Sequence, residues 1–292
     1  MPLRTLKEET ADSLMLQWVL HVQNYKLMLD RHQCVGCQVC SLACPKEAIT
    51  LEKQPRINGQ KARRARVDVD LSKCNFCGIC DITCPFGAIK LTLNGKHALS
   101  VVEKESFPEL IRDIQVNEGK MTAECFKVKD PCPLGLISIT SATESGKVKV
   151  EVDKEHCPCC TVCEVKLPGV MHVRKILSGK INIRTEKCPP GCTDCLDVCP
   201  ITGALYISET DKKVRPNESF CVYCGACKIV CPIDDALEFK RTRINHTPIH
   251  SGAWNKALEK LTSSVEMTKE LKTKGSARAR ESVKKRVGLK GD

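Results

Sequence analysis

The sequence predicts an α+β protein made of three concatenated, cysteine-rich units with short strands and helices, followed by a C-terminal helix and a basic tail. Two observations support this prediction. One cysteine motif recurs along the 292 residues, and the 22 cysteines far outnumber the six Phe, three Tyr and two Trp. Because aromatic side chains are so few, bound metal is the favoured organiser of the fold: ligation in a preformed site supplies folding free energy that a small apolar core lacks.

The recurring motif has three cysteines at CxxCxxC spacing, a fourth cysteine after three further residues, and then a proline. It spans 34–51 as CVGCQVCSLACPKEAITL and returns at 74–91, 188–207 and 221–239, with the first gap of the 188–207 copy widened by one residue. Each copy ends in a short apolar run that we interpret as a half-buried strand. Recurrence at this level predicts a repeat architecture.

Two incomplete copies lie between the second and third complete ones. The first keeps only its end, at Cys132, with a lone Cys125 before it. The second keeps its beginning but has a leucine, Leu167, at the fourth position; its cysteines are Cys157, Cys160 and Cys163. The chain therefore consists of six half-repeats, or three pairs.

This cysteine spacing is typical of [4Fe–4S] clusters. A CxxCxxC loop wraps three of the four irons, and in the bacterial-ferredoxin pattern the cysteine before proline ligates the cluster of the other loop. Proline contributes because its fixed φ turns the chain away from its own cluster. Gly36, Gly78 and Gly225 lie inside the loops, where we expect the missing side chains to let backbone N–H groups approach the cluster sulfurs.

Applied to each pair of loops, this crossed rule predicts five [4Fe–4S] clusters and no catalytic residue. In the first pair the ligands are Cys34, Cys37, Cys40 and Cys84 for one cluster, and Cys74, Cys77, Cys80 and Cys44 for the other. The middle pair keeps one cluster, on Cys157, Cys160, Cys163 and Cys132. The last pair uses Cys188, Cys192, Cys195 and Cys231, and then Cys221, Cys224, Cys227 and Cys199.

Both losses in the middle pair fall on the same cluster, which indicates that one cluster was discarded and its neighbour kept. Cys125 and Cys159 are then left over. We interpret them as small buried side chains or remnants of the lost site, although Cys159 is also placed to substitute for Cys157 or Cys160.

The pairs divide the chain into five predicted segments. These are an N-terminal segment with the first two-cluster ferredoxin-like unit at 1–98, a helical spacer at 99–120, a degenerate one-cluster unit at 121–185, a third, two-cluster unit at 186–242, and an amphipathic helix with a basic tail at 243–292. Ser106 and Glu109 stand at capping-box spacing with Pro108 in the first turn, so we expect the helix of the spacer over 106–119.

The two ends of the chain carry patterns of their own. Tyr25, Leu27 and Leu29 alternate, which favours a strand before the first loop. After the last motif, a mostly apolar stripe at helical spacing either packs on the body of the chain or docks on another subunit; its members are Trp254, Leu258, Leu261, Val265, Thr268 and Leu271. We expect the basic tail that follows to be disordered, and the basic loop 61–66 to be solvated unless it meets RNA or an acidic protein surface.

Disulfides and zinc account for the cysteines less well than iron–sulfur clusters do. Disulfides would require a secreted protein, but MPLRTLKEET lacks the features of a signal peptide and 14–29 is too polar to span a bilayer. We therefore expect a reducing, anaerobic cytoplasm. Zinc sites usually take two CxxC pairs, without a third cysteine at the next step or a fourth before proline. Phosphate-loop, dinucleotide and nucleophile motifs are not found, so we expect electron transfer for partner enzymes.

One family resemblance adds to this. The motif order, the eroded middle pair, FPELI at 107–111 and HTPIHSGAWNKALEKLTS at 246–263 together resemble the polyferredoxin subunit of archaeal tungsten/molybdenum formylmethanofuran dehydrogenase. The resemblance implies a non-catalytic subunit that relays low-potential electrons to the metal–pterin subunit, for CO2 reduction onto methanofuran in methanogenesis or for its reverse. Better-known members have more ferredoxin domains, and this shorter chain departs from them.

Two other function classes stay open. One is a polyferredoxin of a hydrogenase or heterodisulfide reductase complex, exchanging electrons with such subunits or with a soluble ferredoxin. The other is a metal-stabilised nucleic-acid-binding protein, suggested by the net charge of +11 and the basic tail. However, five oxidised clusters would each bring a charge of about −2 with their thiolates, which makes the loaded body acidic. Nucleic acid is therefore not the expected partner.

Overall fold

The computed structural model describes residues 4–56, 60–122, 124–128, 130–141, 148–249 and 251–263. One pattern of strand pairing occurs three times in it. The strand before the first half-repeat of a pair joins the strand after the second, and the two strands between them join each other, always antiparallel. We name the three portions the N-terminal unit (4–98), the middle unit (114–173) and the C-terminal unit (177–244).

The N-terminal unit contains a four-stranded and a two-stranded sheet. Its elements are β1 (Arg4–Glu9), β2 (Ser13–Val19), β3 (Asn24–Asp30), α1 (Val39–Ala43), β4 (Ile49–Glu52), β5 (Arg66–Val69), α2 (Ile79–Ile82) and β6 (Ile89–Leu93). The larger sheet has the order β1-β2-β3-β6. The expected strand around Leu27 is confirmed. Leu14, Leu16, Leu27 and Leu29 are at most 1% exposed and form the core beneath the loops.

The middle unit has two strand pairs, β7 with β10 and β8 with β9. Its elements are β7 (Ile114–Val116), two 3-10 turns (Glu118–Lys120 and Cys125–Lys127), β8 (Ile137–Ser141), β9 (Val148–Val152), α4 (Val162–Lys166) and β10 (Met171–Val173). Because β7 pairs with β10, this unit begins before the predicted start at residue 121. A short helix, α3 (Ser100–Glu103), connects it to the N-terminal unit.

The helix expected over 106–119 is not formed. Instead, the Ile111 N–H donates to Asn245 O at 3.0 Å and the Thr247 N–H donates to Glu109 O at 3.0 Å, so this backbone pairs with a distant segment. The residues that follow form β7. The capping-box pattern is local, and these long-range hydrogen bonds outweigh it because they satisfy the same backbone groups.

The C-terminal unit pairs β11 with β14 and β12 with β13. Its elements are β11 (Leu177–Ile183), a 3-10 turn (Thr185–Lys187), α5 (Asp194–Asp197), β12 (Leu205–Ile207), β13 (Val214–Pro216), α6 (Ala226–Val230) and β14 (Leu237–Ile244). β11 lies within the range 121–185 predicted for the middle unit, but its partner β14 places it here.

The C-terminal helix, α7 (Gly252–Thr262), packs on the protein itself. Its N-cap Ser251 accepts the N–H of Trp254 at 3.1 Å, and the Ser251 hydroxyl donates to Ser106 O at 2.7 Å. Trp254 is 2% exposed and meets Phe107 edge to face, with 5.2 Å between ring centroids. The first half of the predicted stripe therefore covers the chain's own core. Val265, Thr268, Leu271 and the basic tail lie outside the described residues.

The basic loop 61–66, at Ala62, and the segment before it contact the C-terminal unit. Arg56 Nη1 donates to Asp194 Oδ1 at 2.7 Å, and the Ala62 N–H donates to Asp197 Oδ2 at 3.0 Å. Lys53 Nζ donates to Cys231 O at 3.2 Å. These three residues thus tie the N-terminal unit to the C-terminal one. Within the described ranges, no helix has the length and apolarity that a membrane crossing requires.

Candidate metal centres

The cysteine loops share a local geometry that the sequence dictates. A one-turn helix follows the second cysteine of the loop, and the residue before that helix has a left-handed backbone at Gln38, Gly78, Thr161 and Gly225. This turn reverses the chain so that successive sulfurs face one region. The widened loop before α5 differs, since Thr193 has a φ of −123°.

Two groups of four cysteines form in the N-terminal unit. Burial first, and then the neighbouring Cys84, raises the pKa of the Cys37 thiol well above its ordinary value. Cys84 acts in the same sense, after burial, on Cys34 and Cys40. We call these four residues the inner N-terminal group. The outer N-terminal group is Cys74, Cys77, Cys80 and Cys44, where burial and then neighbours including Cys44 raise the pKa values of the other three.

The middle unit holds one such group, the middle group of Cys157, Cys160, Cys163 and Cys132. Burial raises the pKa of Cys160 to about 11 and that of Cys163 to about 12, and the nearby Cys157 and Cys132 add to both shifts. Cys132 therefore lies beside the loop to which the crossed rule assigns it.

The C-terminal unit again holds two groups. In the outer C-terminal group (Cys188, Cys192, Cys195 and Cys231), burial and then Cys192 and Cys231 raise the pKa of Cys195 to about 12. In the inner C-terminal group (Cys221, Cys224, Cys227 and Cys199), burial and then the three other members raise the pKa of Cys227 well above normal. The structure thus brings together the sulfurs of all five predicted groups.

Cavities provide an independent view of three of these groups. One small cavity is lined by all four members of the outer N-terminal group, and another by all four of the middle group. The outer C-terminal group lines a larger cavity of about 400 Å³, with Pro189, Pro190 and Gly191 of the widened loop at its edge. Within the described ranges, no three Cys, His, Asp or Glu side chains converge closely enough for a single metal ion. A cubane requires a wider group, because its ligands bind four different irons.

Two buried donors support the fit of an iron–sulfur cluster. The Nε atoms of Arg31 and Arg112 are buried, and neither has a hydrogen-bond partner among the described residues. Both side chains lie near the inner N-terminal group: burial raises the pKa values of Cys34 and Cys84, and the charges of Arg31 and Arg112 oppose that rise. Anionic sulfur is an acceptor that such donors lack in the protein alone.

Backbone N–H groups also point at the sulfurs. The Ala88 N–H donates to Cys84 Sγ at 3.3 Å, and the Tyr223 N–H donates to Cys221 Sγ at 3.4 Å. Burial without compensating charge disfavours thiolates, whereas iron binds the deprotonated form. The donor set, the buried N–H groups and the cavities therefore fit [4Fe–4S] clusters.

The two leftover cysteines differ in their surroundings. Cys159 is fully buried, has a φ of +57°, and its thiol faces Cys157 O at 3.8 Å. Cys125 is also buried and lies 3.4 Å from the Thr122 hydroxyl. Leu167, at the position of the missing fourth cysteine, is 0% exposed. Apolar packing thus occupies one position that the lost cluster would have used. None of the 22 cysteines forms a disulfide.

Three cations lie beside the loops at positions that the cysteine motifs do not predict. Arg241 Nη2 donates to Cys224 O at 2.5 Å, Arg112 Nη2 to Cys84 O at 2.9 Å, and Lys175 Nζ to Cys221 O at 2.9 Å. For Arg241 a signal exists in the sequence. It falls two residues after Phe239 and four after Leu237, on the face of β14 that alternation predicts to be buried.

Comparison with known families identifies two [4Fe–4S] dicluster domains, at residues 33–88 and 187–234. A polyferredoxin-like subunit of an aliphatic sulfonate oxidoreductase from Pyrococcus furiosus is 31% identical over 97 residues, covering 30% of this chain and 55% of that protein. Formate hydrogenlyase subunit 2 of Escherichia coli is 32% identical over 108 residues, covering 32% of this chain and 49% of that one. The chain thus spans about half the length of the curated relatives it matches.

A solved structure resembles nearly the whole chain. It is one chain of the formate dehydrogenase–heterodisulfide reductase–formylmethanofuran dehydrogenase complex from Methanospirillum hungatei. The TM-score is 0.78 at 28% identity, over 90% of this chain and 92% of that one. Together with the dicluster domains, this shows an iron–sulfur protein that is similar to electron-transfer subunits of oxidoreductase complexes.

Proposed function

We propose that the chain is a polyferredoxin of three ferredoxin-like units, whose five cysteine groups hold five [4Fe–4S] clusters through the 20 ligands assigned by the crossed rule. The convergence of each CxxCxxC loop with the cysteine before proline from its partner half-repeat supports this assignment. Bound in these groups, the clusters would supply one-electron transfer at low potential. The four cysteines of each group fill all four iron positions, which leaves none for a substrate.

The observation that carries a conducting role is that successive groups lie close enough for their thiols to interact electrostatically. Cys80 raises the pKa of Cys40, Cys224 raises that of Cys37, and Cys195 raises that of Cys199, each after burial. These three effects connect the outer N-terminal, inner N-terminal, inner C-terminal and outer C-terminal groups in that order. A continuous row of neighbouring groups is what a chain that relays electrons requires, and no catalytic step is assigned to it.

Anaerobic purification tests the cofactor assignment. Five clusters correspond to about 20 irons and 20 sulfides per chain, because each cubane contains four of each. Dithionite reduction should bleach the brown protein and produce paramagnetic [4Fe–4S]+ signals. A colourless protein that contains zinc instead would reject the proposal. We also propose a reducing cytoplasmic setting, which keeps the thiols available for iron.

For the partner, we propose the tungsten- or molybdenum-containing catalytic subunit of a formylmethanofuran dehydrogenase, to which the chain relays electrons for CO2 reduction or from which it receives them. The similarity over 90% of the chain to a member of a complex that includes this enzyme supports the proposal. A tagged chain, captured anaerobically from its own cells, should retain the catalytic subunit. The purified pair should reduce CO2 onto methanofuran with electrons from reduced ferredoxin, or oxidise formylmethanofuran when ferredoxin is supplied oxidised.

A second candidate is a polyferredoxin of a hydrogenase or heterodisulfide reductase complex. Formate hydrogenlyase subunit 2 and hydrogenase-4 component A of Escherichia coli, 32% and 31% identical over part of the chain, favour it. The same capture distinguishes the two candidates. Recovery of hydrogenase or heterodisulfide reductase subunits, without the formylmethanofuran catalytic subunit, would select the second.

A further inference from the structure

Three of the five cysteine groups face one another across the boundaries between units. These are the inner N-terminal, middle and inner C-terminal groups, one from each unit. A cation lies at each of the three boundaries, and each donates a hydrogen bond to the carbonyl oxygen of a cysteine in one of these groups.

Arg241 lies between the inner N-terminal and inner C-terminal groups. Its side chain is 0% exposed, and its guanidinium binds Tyr223 O at 2.9 Å as well as Cys224 O. The Cys37, Cys224 and Cys227 thiols all lie close enough to interact electrostatically with its guanidinium. A cavity lined by both Gln38 and Gly225, which follow Cys37 and Cys224 in sequence, opens at the same boundary.

Arg112 lies between the inner N-terminal and middle groups. Its Nη2 donates to Cys84 O at 2.9 Å, and its guanidinium lies close enough to Cys157 for their charges to interact. Its buried Nε has no partner among the described residues. The units also touch here, because Lys90 forms an ion pair with Glu155.

Lys175 lies between the middle and inner C-terminal groups. Its ammonium donates to Cys221 O at 2.9 Å and faces the Tyr223 ring at 5.2 Å from the centroid. Cys221 of the inner C-terminal group and Cys160 of the middle group both lie close enough to interact electrostatically with its ammonium. Beside it, the Thr161 hydroxyl donates to Ser219 O at 2.8 Å.

We propose that Arg241, Arg112 and Lys175 tune the clusters electrostatically. Each raises the reduction potentials of the two clusters between which it lies. The inference rests on the proposed cluster assignment. Reduction adds one negative charge to a cluster that is already anionic, so a nearby buried cation favours the reduced state. The inner N-terminal, middle and inner C-terminal clusters would each lie beside two of the three cations, and the two outer clusters beside none of them.

Anaerobic redox titration of the full loaded chain, monitored by electron paramagnetic resonance, tests this. In Arg241→Met the reduction potentials of two of the five clusters should fall. Each fall should be at least tenfold in the equilibrium constant for one-electron reduction, which corresponds to about 59 mV. Arg112→Met and Lys175→Met should each lower two steps by a similar factor. In the double variant Arg241→Met/Arg112→Met, three steps should move, and one of them, from the shared inner N-terminal cluster, should move by about the sum.

Charge-conserving variants provide the matched controls. Each cluster should keep an equilibrium constant for reduction within threefold of the wild-type value in Arg241→Lys, Arg112→Lys and Lys175→Arg. Arg243→Met removes an exposed charge two residues from Arg241 on the same strand and should move none. Iron and sulfide content, measured on every variant, separates the two proposals. A wild-type chain without five clusters refutes the assignment, whereas full loading with unmoved steps refutes only the role of the cations.

A purely structural role predicts a different pattern. If the cations were only structural, their substitution would lower the iron content or leave all five reduction potentials unchanged. Either result, or an equal shift of all five reduction potentials, would overturn the inference. If Arg241→Met fails to load because its site is fully buried, Arg112→Met and Lys175→Met, at partly exposed sites, still decide the matter. Each must move two steps, and together they must move three.

Discussion

Arg56 of the N-terminal unit forms an ion pair with Asp194 of the C-terminal unit, with 2.7 Å between Nη1 and Oδ1. The Asp194 side chain is 10% exposed and the Arg56 side chain 50% exposed. The contact therefore joins a solvent-screened cation to an almost buried carboxylate. It ties Arg56 to the start of α5, beside the cavity that the outer C-terminal group lines.

This ion pair predicts a modest loss of stability in Arg56→Ala. We expect a decrease of about 1 kcal/mol in the free energy of unfolding, because exposed pairs contribute little but Asp194 is left without its cation. Chemical denaturation of the loaded protein measures it. Arg63→Ala, at an exposed arginine of the basic loop 61–66, is the control and should change stability by less than about 0.5 kcal/mol. Equal effects of the two variants would contradict the prediction.

The crossed arrangement predicts opposite outcomes for two cysteines of the middle unit. Cys132→Ser removes a member of the middle group, so the chain should lose about four irons, or hold a damaged cluster with a changed paramagnetic spectrum. Cys125→Ser should leave the iron content unchanged, because Cys125 contacts Thr122 rather than the group. If Cys125→Ser lost a cluster while Cys132→Ser kept its full iron content, Cys125 rather than Cys132 would be the ligand of the middle group.

Gly36 predicts a backbone effect that can be separated into two parts. Its φ is +67°, and a Cβ there would lie 2.6 Å from Ala65 O. Gly95 has a φ of +80° with open space around it. Gly95→Ala should therefore cost only about 1–2 kcal/mol for the left-handed backbone. Gly36→Ala should cost about 1–3 kcal/mol more for the clash and should weaken iron binding at the inner N-terminal group. Equal stability of the two variants would show that the backbone at Ala65 moves away from the added Cβ at little cost in free energy.

The anchoring of α7 predicts a large effect at its aromatic residue. Trp254→Ala removes a side chain that packs on Phe107 and donates from Nε1 to His246 Nε2 at 3.3 Å. We expect a loss of about 3–5 kcal/mol, typical of buried aromatic residues, together with faster proteolysis after Ser251. Lys256→Ala, on the exposed face of the same helix, should melt like wild type. A thermal melt compares the two, and a Trp254→Ala protein of wild-type stability would show that α7 is dispensable.

Much of the candidate site follows from local sequence. CxxCxxC spacing fixes a loop, proline redirects the fourth cysteine, and the apolar run after it forms a strand, as at Ile89–Leu93. The membership of the five groups follows from these rules because each cysteine needs only its own pair of half-repeats. The strand at Tyr25 and Leu27 was predictable for the same reason, since alternation is a local property.

Features that depend on contacts between units could not be predicted in this way. The 106–119 segment pairs with Asn245 and Thr247, more than a hundred residues away, so its capping signal was misleading. Arg112 and Lys175 approach cysteine carbonyls only because the units pack together. Arg241 is intermediate, because alternation places it inside but cannot reveal which cysteines it meets.

The packing of α7 also has a consequence for biosynthesis. Leu261, which is buried near the end of the described chain, accepts a hydrogen bond from Arg241, and Lys260 pairs with Glu47 beside the first loop. On the ribosome these residues emerge more than two hundred residues after Glu47, so α7 can pack beside the first loop only once the intervening chain has been made. Iron can therefore reach the cysteines of the first loop during synthesis, before the last turn of α7 packs beside that loop.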